Sequence, residues 1–398
     1  MKVAIIGGGI AGLTCAYRLA QKGIKSKVFE KEVTPGGRIQ WSTVVAGKEL
    51  HPYTYNLVEE IGLGEAISPV ELSEFGSIMP DGSLMKMEDF PKMVENFSDE
   101  EKAFFGKMNE FFGNLNIDVK NLPSELTELK EMSFAEYLEK QGCPDSMKPL
   151  LGLEINLRFL ESYPDSWSMI SAEYGMMCIA PFFTVIPKQE VYVFEENMAV
   201  LTNVLSRKIE EKGSRVETGV EVQEVKEKDG KFQVSYEKHF EEEREEFDKV
   251  VLATPLSKMN EIFPELEFET DIWESKGKCY IVEGELKSEY SERDVFFVFP
   301  GHESNICTIN AIESYEHRLY SLKPEEEVSL DTLYDNYKIL SEKELDPAWH
   351  IVPPKGKIPN LKTDMEGVYL CGDFYHFAGH DVSAATAEMV ADMIKEEE

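Results

Sequence analysis

The sequence predicts an α/β protein, with a parallel sheet in one domain and a discontinuous α+β unit in the other. Three observations carry that prediction. The chain opens on an apolar run, Lys2-Val3-Ala4-Ile5-Ile6, which reads as a buried parallel strand. A glycine-rich turn and a helical stretch to Gly23 follow it directly. A second strand, Lys25 to Glu30, then ends on an acid.

Taken in order, each element has a physical task. In Gly7-Gly8-Gly9-Ile10-Ala11-Gly12 the glycines at 7, 9 and 12 have the Gly-x-Gly-x-x-Gly spacing. The first permits a tight turn, the second lets backbone approach a pyrophosphate, and the third lets helix and strand pack closely. The following helix offers the N–H groups of Ile10, Ala11 and Gly12 and its positive dipole end to phosphate, each favourable charge placement adding roughly 0.3–1 kcal/mol. Glu30, eighteen residues beyond Gly12, stands where a carboxylate accepts ribose hydroxyls, with Lys31 beside it. The strand before, the helix after and the acid at that distance together specify a Rossmann-type FAD/NAD(P)-binding domain. Glu30 argues against a 2′-phosphate, because two negative charges would face each other. NAD and FAD remain.

Gly36-Gly37-Arg38 follows six residues after Glu30. This second glycine pair resembles the flavin-containing amine oxidoreductase superfamily, which includes monoamine oxidases, protoporphyrinogen oxidases and phytoene desaturases. There the arginine lies beside the flavin pyrophosphate. The resemblance recurs at residues 194–225, where a helix delivers a strand whose backbone touches adenine, at Val222 here. It recurs at Asp248-Lys249-Val250-Val251-Leu252-Ala253-Thr254-Pro255, placing Ala253 and Thr254 near the ADP half. It recurs again at Gly367-Val368-Tyr369-Leu370-Cys371-Gly372-Asp373, where the acid binds the ribityl chain or the pyrophosphate. The resemblance implies a last helix from about Val382 to Ile394, its first amides at the flavin's pyrimidine edge. Two departures lie near the ring: the last helix reads Ser383-Ala384-Ala385-Thr386-Ala387-Glu388-Met389, without the family's glycine, and Ile39 to His51 lacks an Asp-x-Gly pattern.

For catalysis, the resemblance points to Lys278, in Gly277-Lys278-Cys279-Tyr280-Ile281-Val282, where amine oxidases place a lysine that holds a water near the flavin. It points also to His380, where they often hold an aromatic cage residue, with Tyr375 and His376 competing for that role. Trp349 and His350 precede the run Ile351-Val352-Pro353-Pro354 before the ring. Where some relatives carry a cysteine bonded to the flavin, this chain has Pro347, which implies noncovalent FAD.

Composition narrows the function classes. The formal net charge is −34 and 42% of residues are hydrophobic. Such a charge opposes nucleic-acid binding and docking to anionic lipid. No apolar run approaches the length of a membrane span. The six cysteines (15, 143, 178, 279, 307 and 371) form neither a Cys-x-x-Cys nor a Cys/His cluster, so a metal site is not expected. Most of them read as core thiols, and a reducing cytoplasm is expected. Met1-Lys2 running straight into a strand argues against a leader peptide.

The expected organisation is discontinuous: residues 1–70, 191–260 and 346–398 form the FAD domain, and 71–190 and 261–345 the substrate domain. Residues 71–190 are rich in helix pattern and poor in strand pattern, with apolar spacing at Phe104, Met108 and Phe112 and again at Phe134, Tyr137 and Leu138. Gly230 marks a hairpin. Strands are expected at Lys278–Glu285, Val295–Phe299 and Asn305–Ile312, then a helix from about Glu325 to Leu340. Trp167, Met169, Tyr174, Met176, Met177, Phe182 and Phe183 form either ordinary core or an apolar substrate cavity.

The expectation is therefore an FAD-dependent oxidoreductase that takes a hydride from a C–N or C–C bond of an apolar small molecule, with oxygen or a quinone reoxidising the flavin. A desaturase or porphyrinogen-oxidase-like substrate is preferred to a small amine, because the aromatic cage is incomplete. Two alternatives stand. A flavin-dependent isomerase of the UDP-galactopyranose mutase type calls for clustered arginines, and the substrate segments hold only Arg158, Arg293 and Arg318. A flavin-binding protein without turnover is permitted by the altered last helix. The sequence leaves the oligomeric state open.

Overall fold

A computed structural model describes residues 1–41, 48, 51–156, 165–184, 191–194, 197–290, 295–299, 302–313 and 316–398. Arg158 and Arg293 lie outside the described residues, as does most of the stretch between Ile39 and His51.

Five parallel strands form the first sheet, in the order Val368–Leu370, Lys249–Leu252, Lys2–Ile6, Lys25–Glu30, Arg215–Thr218. Strands drawn from four distant parts of the sequence thus share one layer. The central strand is buried from Val3 to Ile6, as a parallel strand covered on both faces must be. The first helix, Ile10–Gln21, packs against both the last helix, His380–Glu396, and the helix Ala199–Glu211. All three contribute to a core that also holds Leu13, Leu19, Leu205 and Val390.

A three-stranded antiparallel sheet follows, Val220–Lys228, Lys231–Lys238 and Glu241–Phe247, turning at Gly230 with φ +75°. The expected hairpin is therefore present. Its outer strand, Glu-Glu-Glu-Arg-Glu-Glu-Phe, carries like charges that discourage pairing with another chain.

The third sheet has seven strands, in the order Tyr334–Ile351, Trp273–Leu286, Glu316–Ser321, Thr308–Glu313, Val295–Val298, Phe75–Ile78, Leu84–Lys86. Two corrections follow from it. The helix expected over 325–340 does not form: a single 3₁₀ turn, Leu330–Thr332, precedes an 18-residue strand, Tyr334–Ile351. That strand pairs antiparallel with Trp273–Leu286 from end to end, so a non-local ladder overrides local helix propensity. The segment expected to be poor in strands also supplies two, Phe75–Ile78 and Leu84–Lys86, at the far edge of this sheet.

Helices fill most of the rest of 71–190. Ser98 and Ser133 each close a capping box with the glutamate three residues on, fixing the starts of Asp99–Gly113 and Phe134–Gln141. Phe104, Met108, Phe112, Phe134 and Leu138 join Tyr174, Met176 and Phe182 of the helix Ala172–Thr184 in a second core. This core also takes in Phe377, Ala378, Val382 and Ala385, which belong to the start of the last helix and the loop before it. Among the described residues, no helix is long and apolar enough to cross a membrane.

Candidate active site

The glycine turn is built as its spacing predicts. Gly7 has φ +110°, and a Cβ there would lie 2.6 Å from the Ala253 carbonyl oxygen. At Gly12 a Cβ would lie 1.9 Å from the Gly7 carbonyl oxygen, so only glycine lets the helix seat on the turn. Gly9 differs: it caps the helix in extended conformation, and a Cβ on it would meet nothing within 4 Å. The space in front of Gly9, at the helix N-terminus, is thus open, as an anion-binding helix start requires. Ile10 and Ala11 continue into the first helical turn, each 5% exposed.

Glu30 closes the other side. Its carboxylate accepts hydrogen bonds from the N–H of Gly8 at 2.7 Å and of Glu32 at 2.8 Å. Burial raises its pKa, and those two N–H groups work in the opposite direction. Lys31 is exposed beside it. Gly36 bridges to Gly9 across the turn, its N–H donating to the Gly8 carbonyl at 2.8 Å, and Gly37 follows with φ +56°. The two glycine pairs are therefore brought face to face, which neither pair's own spacing requires.

Arg38 reaches toward the edge strand Val368–Leu370 and the loop after it. Its Nη1 donates to the Ala348 carbonyl at 2.6 Å and its Nη2 to Asp373 Oδ1 at 2.5 Å. The same Asp373 oxygen lies 2.7 Å from His350 Nδ1, and His350 Nε2 lies 3.0 Å from Glu274 Oε1. These four side chains alternate basic and acidic, with Asp373 and His350 buried and Arg38 and Glu274 partly exposed. Burial opposes ionisation of Asp373, but Arg38 and His350 hold its carboxyl well below the usual carboxylate range. Burial likewise opposes a charged His350, and the carboxylates of Asp373 and Glu274 outweigh it, so its pKa is raised. With a carboxylate at each ring nitrogen, the imidazole donates to both only when it carries its second proton.

Gly372 is tied to the last helix through Thr386, whose hydroxyl accepts from the Gly372 N–H at 3.1 Å and donates to its carbonyl at 3.0 Å. Val382 is buried in the helix's first turn, and Ala253 donates to the Ile6 carbonyl at 2.8 Å with Thr254 next to it. Val222 lies at a register shift in the strand Val220–Lys228 and is 8% exposed.

The two residues expected to do chemistry are placed differently. His380 is the first residue of the last helix, its Nδ1 2.9 Å from the Thr54 hydroxyl and its ring 5.2 Å from that of His51. Lys278 is not brought to Arg38, Asp373 or His350. A Cβ on its neighbour Gly277 would meet the Tyr320 hydroxyl, which also accepts from Trp349 Nε1 at 2.9 Å. Strand alternation turns Lys278 to the other face, where it pairs with Glu342 at 3.1 Å.

Two features were not expected from the sequence. One is the pairing of His350 with Glu274 and Asp373. The other is a half-buried histidine on a buried carboxylate: His376 Nδ1 lies 2.6 Å from Glu173 Oε1, while Glu173 Oε2 is buried without a hydrogen-bond partner among the described residues. His376 has φ +63°, a left-handed conformation that costs energy for a non-glycine residue. The residue named as a rival of His380 is thus the one held by a buried carboxylate. Of the expected apolar cluster, Trp167, Tyr174, Met176, Met177 and Phe182 are core, Phe183 is half-buried and Met169 is exposed. Among the described residues, no group of His, Cys, Asp and Glu could hold a metal ion.

The model of one family, described as flavin containing amine oxidoreductase, matches residues 10–278. Two curated proteins match shorter stretches. A thiamine thiazole synthase of Thermotoga maritima is 37% identical over 82 residues, 19% of this chain and 33% of that protein. The FAD-dependent monooxygenase asqG of Emericella nidulans is 38% identical over 87 residues, 21% of this chain and 14% of that protein. The chain therefore matches a third or less of either relative's length. Solved structures align throughout. A CLA-producing fatty acid isomerase from P. acnes has TM-score 0.71 and 14% identity, covering 98% of each chain. A redesigned putrescine oxidase has TM-score 0.70 and 14% identity, covering 99% of this chain and 98% of its own. An oxidoreductase from Methanosarcina mazei has TM-score 0.68 and 15% identity, covering 98% and 100%.

Proposed function

The chain belongs to the flavin-containing amine oxidoreductase family, and from that premise we propose that it removes a hydride from a C–N or C–C bond of an apolar organic molecule. It is an FAD-dependent oxidoreductase, and the open space before Gly9 together with the anchored Glu30 carboxylate suits that cofactor. When bound, FAD supplies the two-electron acceptor. The chain's own residues then have assigned tasks. Gly7, Gly9, Ile10, Ala11 and Gly12 receive the pyrophosphate, and Glu30 takes the adenosine ribose with Lys31 at its rim. Gly36, Gly37 and Arg38 cover the phosphates from the other side. Val222, Ala253 and Thr254 border the adenosine half, while Gly372, Asp373 and Val382 in the first turn of the last helix border the flavin half. His380 and the Glu173–His376 pair are the groups placed to hold or move a proton there, and Lys278 serves its ion pair.

The observation that carries the apolar-substrate reading is the continuity of the second core. Tyr174, Met176 and Phe182 pack in one cluster with Phe377, Ala378 and Val382, so the loop before the last helix lies against an apolar layer. Such a layer excludes water from the reacting carbon and receives a hydrocarbon or a macrocycle better than a solvated small amine. Noncovalent FAD, the division into an FAD domain (1–70, 191–260, 346–398) and a substrate domain, and reoxidation by oxygen or a quinone belong to the same proposal. The boundary at 346 falls inside the strand Tyr334–Ile351, so that strand would run through both units.

Anaerobic mixing tests it. A partly saturated polyene or a porphyrinogen should bleach the flavin while a small primary amine leaves it oxidised; the reverse pattern would remove the preference. An isomerase is the second reading, and a fatty acid isomerase shares the fold. It requires product to form from an apolar chain with no net flavin reduction.

A further inference from the structure

We propose that His350 is a positioning residue for FAD: clamped between Asp373 and Glu274, it locks Asp373 and Arg38 in place and makes FAD binding depend on the charge of its imidazole. The inference rests on the reading that FAD lies along Arg38 and Asp373.

The geometry supplies the argument. Asp373 receives both of its short contacts, from Arg38 and from His350, on the same oxygen, Oδ1. Neither donor can move without disturbing the other. Arg38 is further fixed by the Ala348 carbonyl, two residues before His350 on the same strand. Glu274 comes from the neighbouring strand, in register opposite His350, and closes the far side of the ring. The Leu256 N–H also lies 3.5 Å from Nε2, but Glu274 at 3.0 Å is nearer and fits a donating nitrogen. Behind the ring, the Tyr174 hydroxyl donates to the His350 carbonyl at 3.1 Å, and Phe374 packs edge-on against the imidazole. His350 is only 1% exposed.

The charged groups facing this ring are Asp373 from the loop after the last parallel strand, Glu274 from the neighbouring strand and Arg38 from the turn after Gly37. Two cations and two anions balance when His350 carries its proton. When it loses that proton, the group has one net negative charge within reach of a diphosphate ester, which repels it. The same loss leaves a single N–H on the ring, so the imidazole donates to Asp373 or to Glu274 but no longer clamps both. Both effects weaken binding in the same direction. Asp373 and Glu274 raise the pKa of His350 despite its burial, so the change falls on the alkaline side of histidine's ordinary range.

The test follows FAD release from the holoprotein on dilution, read as the rise of free-flavin fluorescence, between about pH 6 and pH 9. The parent protein should lose affinity by roughly tenfold or more across that range. His350→Gln should bind more weakly at the acid end and lose most of the pH dependence. Should that variant fail to fold, Glu274→Gln serves, because removing one carboxylate lowers the imidazole's pKa and must move the midpoint of FAD release to lower pH. Retention of the parent's pH dependence in His350→Gln, or an unmoved midpoint in Glu274→Gln, overturns the proposal. Arg38→Ala separates this from failure of the underlying placement: if it too leaves affinity unchanged, FAD does not lie along Arg38 at all. If Arg38→Ala weakens binding while the His350 and Glu274 variants behave as the parent, only the positioning role falls.

Discussion

The Glu30 carboxylate accepts the N–H of Gly8 at 2.7 Å, joining the end of the second strand to the middle of the glycine turn. On the proposed placement of FAD, ribose and phosphate recognition are therefore one mechanical unit, since the acid assigned to the sugar also fixes the loop assigned to the diphosphate. Glu30→Ala leaves the N–H groups of Gly8 and Glu32 without their acceptor, at a cost of about 1–3 kcal/mol. FAD affinity should fall about tenfold to a hundredfold. Equilibrium titration of the flavin-depleted protein checks it.

The glycines at 9 and 12 should separate folding from cofactor binding. Gly12→Ala drives a methyl into the Gly7 carbonyl, a backbone atom that cannot yield cheaply, so both thermal stability and FAD binding should be lost. Gly9→Ala meets open space, and its ordinary φ of −72° suits any residue. Its apoprotein should keep a melting temperature close to the parent's, losing at most about 1 kcal/mol at the helix cap, yet fail to take up FAD. Equal damage by both substitutions would contradict this division.

Asp381 should make stability depend on pH. It is buried in the first turn of the last helix, one oxygen accepting the Thr54 N–H at 2.7 Å and the other without a partner among the described residues. Burial raises its pKa to about 7, against the hydrogen bonds from Thr54. Between its unfolded value near 4 and about 7, the folded state binds the extra proton. This group's contribution is then fully favourable below pH 4 and declines as pH rises to about 7. Asp381→Asn should gain melting temperature relative to the parent on going from pH 5 to pH 8. A constant difference across that range would show that the carboxyl does not titrate there.

Glu173 and His376 form a pair whose members fail separately. His376→Ala leaves the buried Glu173 carboxylate with neither oxygen bonded among the described residues, costing about 1–3 kcal/mol in a denaturant unfolding curve. Pairing it with Glu173→Gln should recover part of that loss, because an amide is cheaper to bury than an unpaired charge. Additive losses would mean that the two side chains do not interact.

The nucleotide cradle was legible because it is local. Gly7, Gly9, Gly12 and Glu30 follow one strand–turn–helix–strand unit, and each residue type answers a steric or charge requirement within it. The segment 325–340 was misread for the opposite reason. Its second half, from Tyr334 on, is held in a strand by pairing with Trp273–Leu286, and no local pattern reports that partner. Lys278 was placed by likeness of sequence, and the alternation of its strand turns it from the cluster around Arg38. The resemblance led to Arg38 and Asp373 as flavin-site residues, but not to their contact across 335 residues, nor to His350 and Glu274 beside them. A buried histidine between two acids is a property of three-dimensional packing.

The central claim is that FAD occupies the cradle at the amino-terminal strand. The visible spectrum of purified protein, taken after incubation with FAD and removal of the excess, tests it most directly. The account predicts a yellow protein with one flavin per chain, and a Gly9→Ala variant that stays folded and colourless. Folded parent protein that remains colourless, or a Gly9→Ala variant as yellow as the parent, would contradict it.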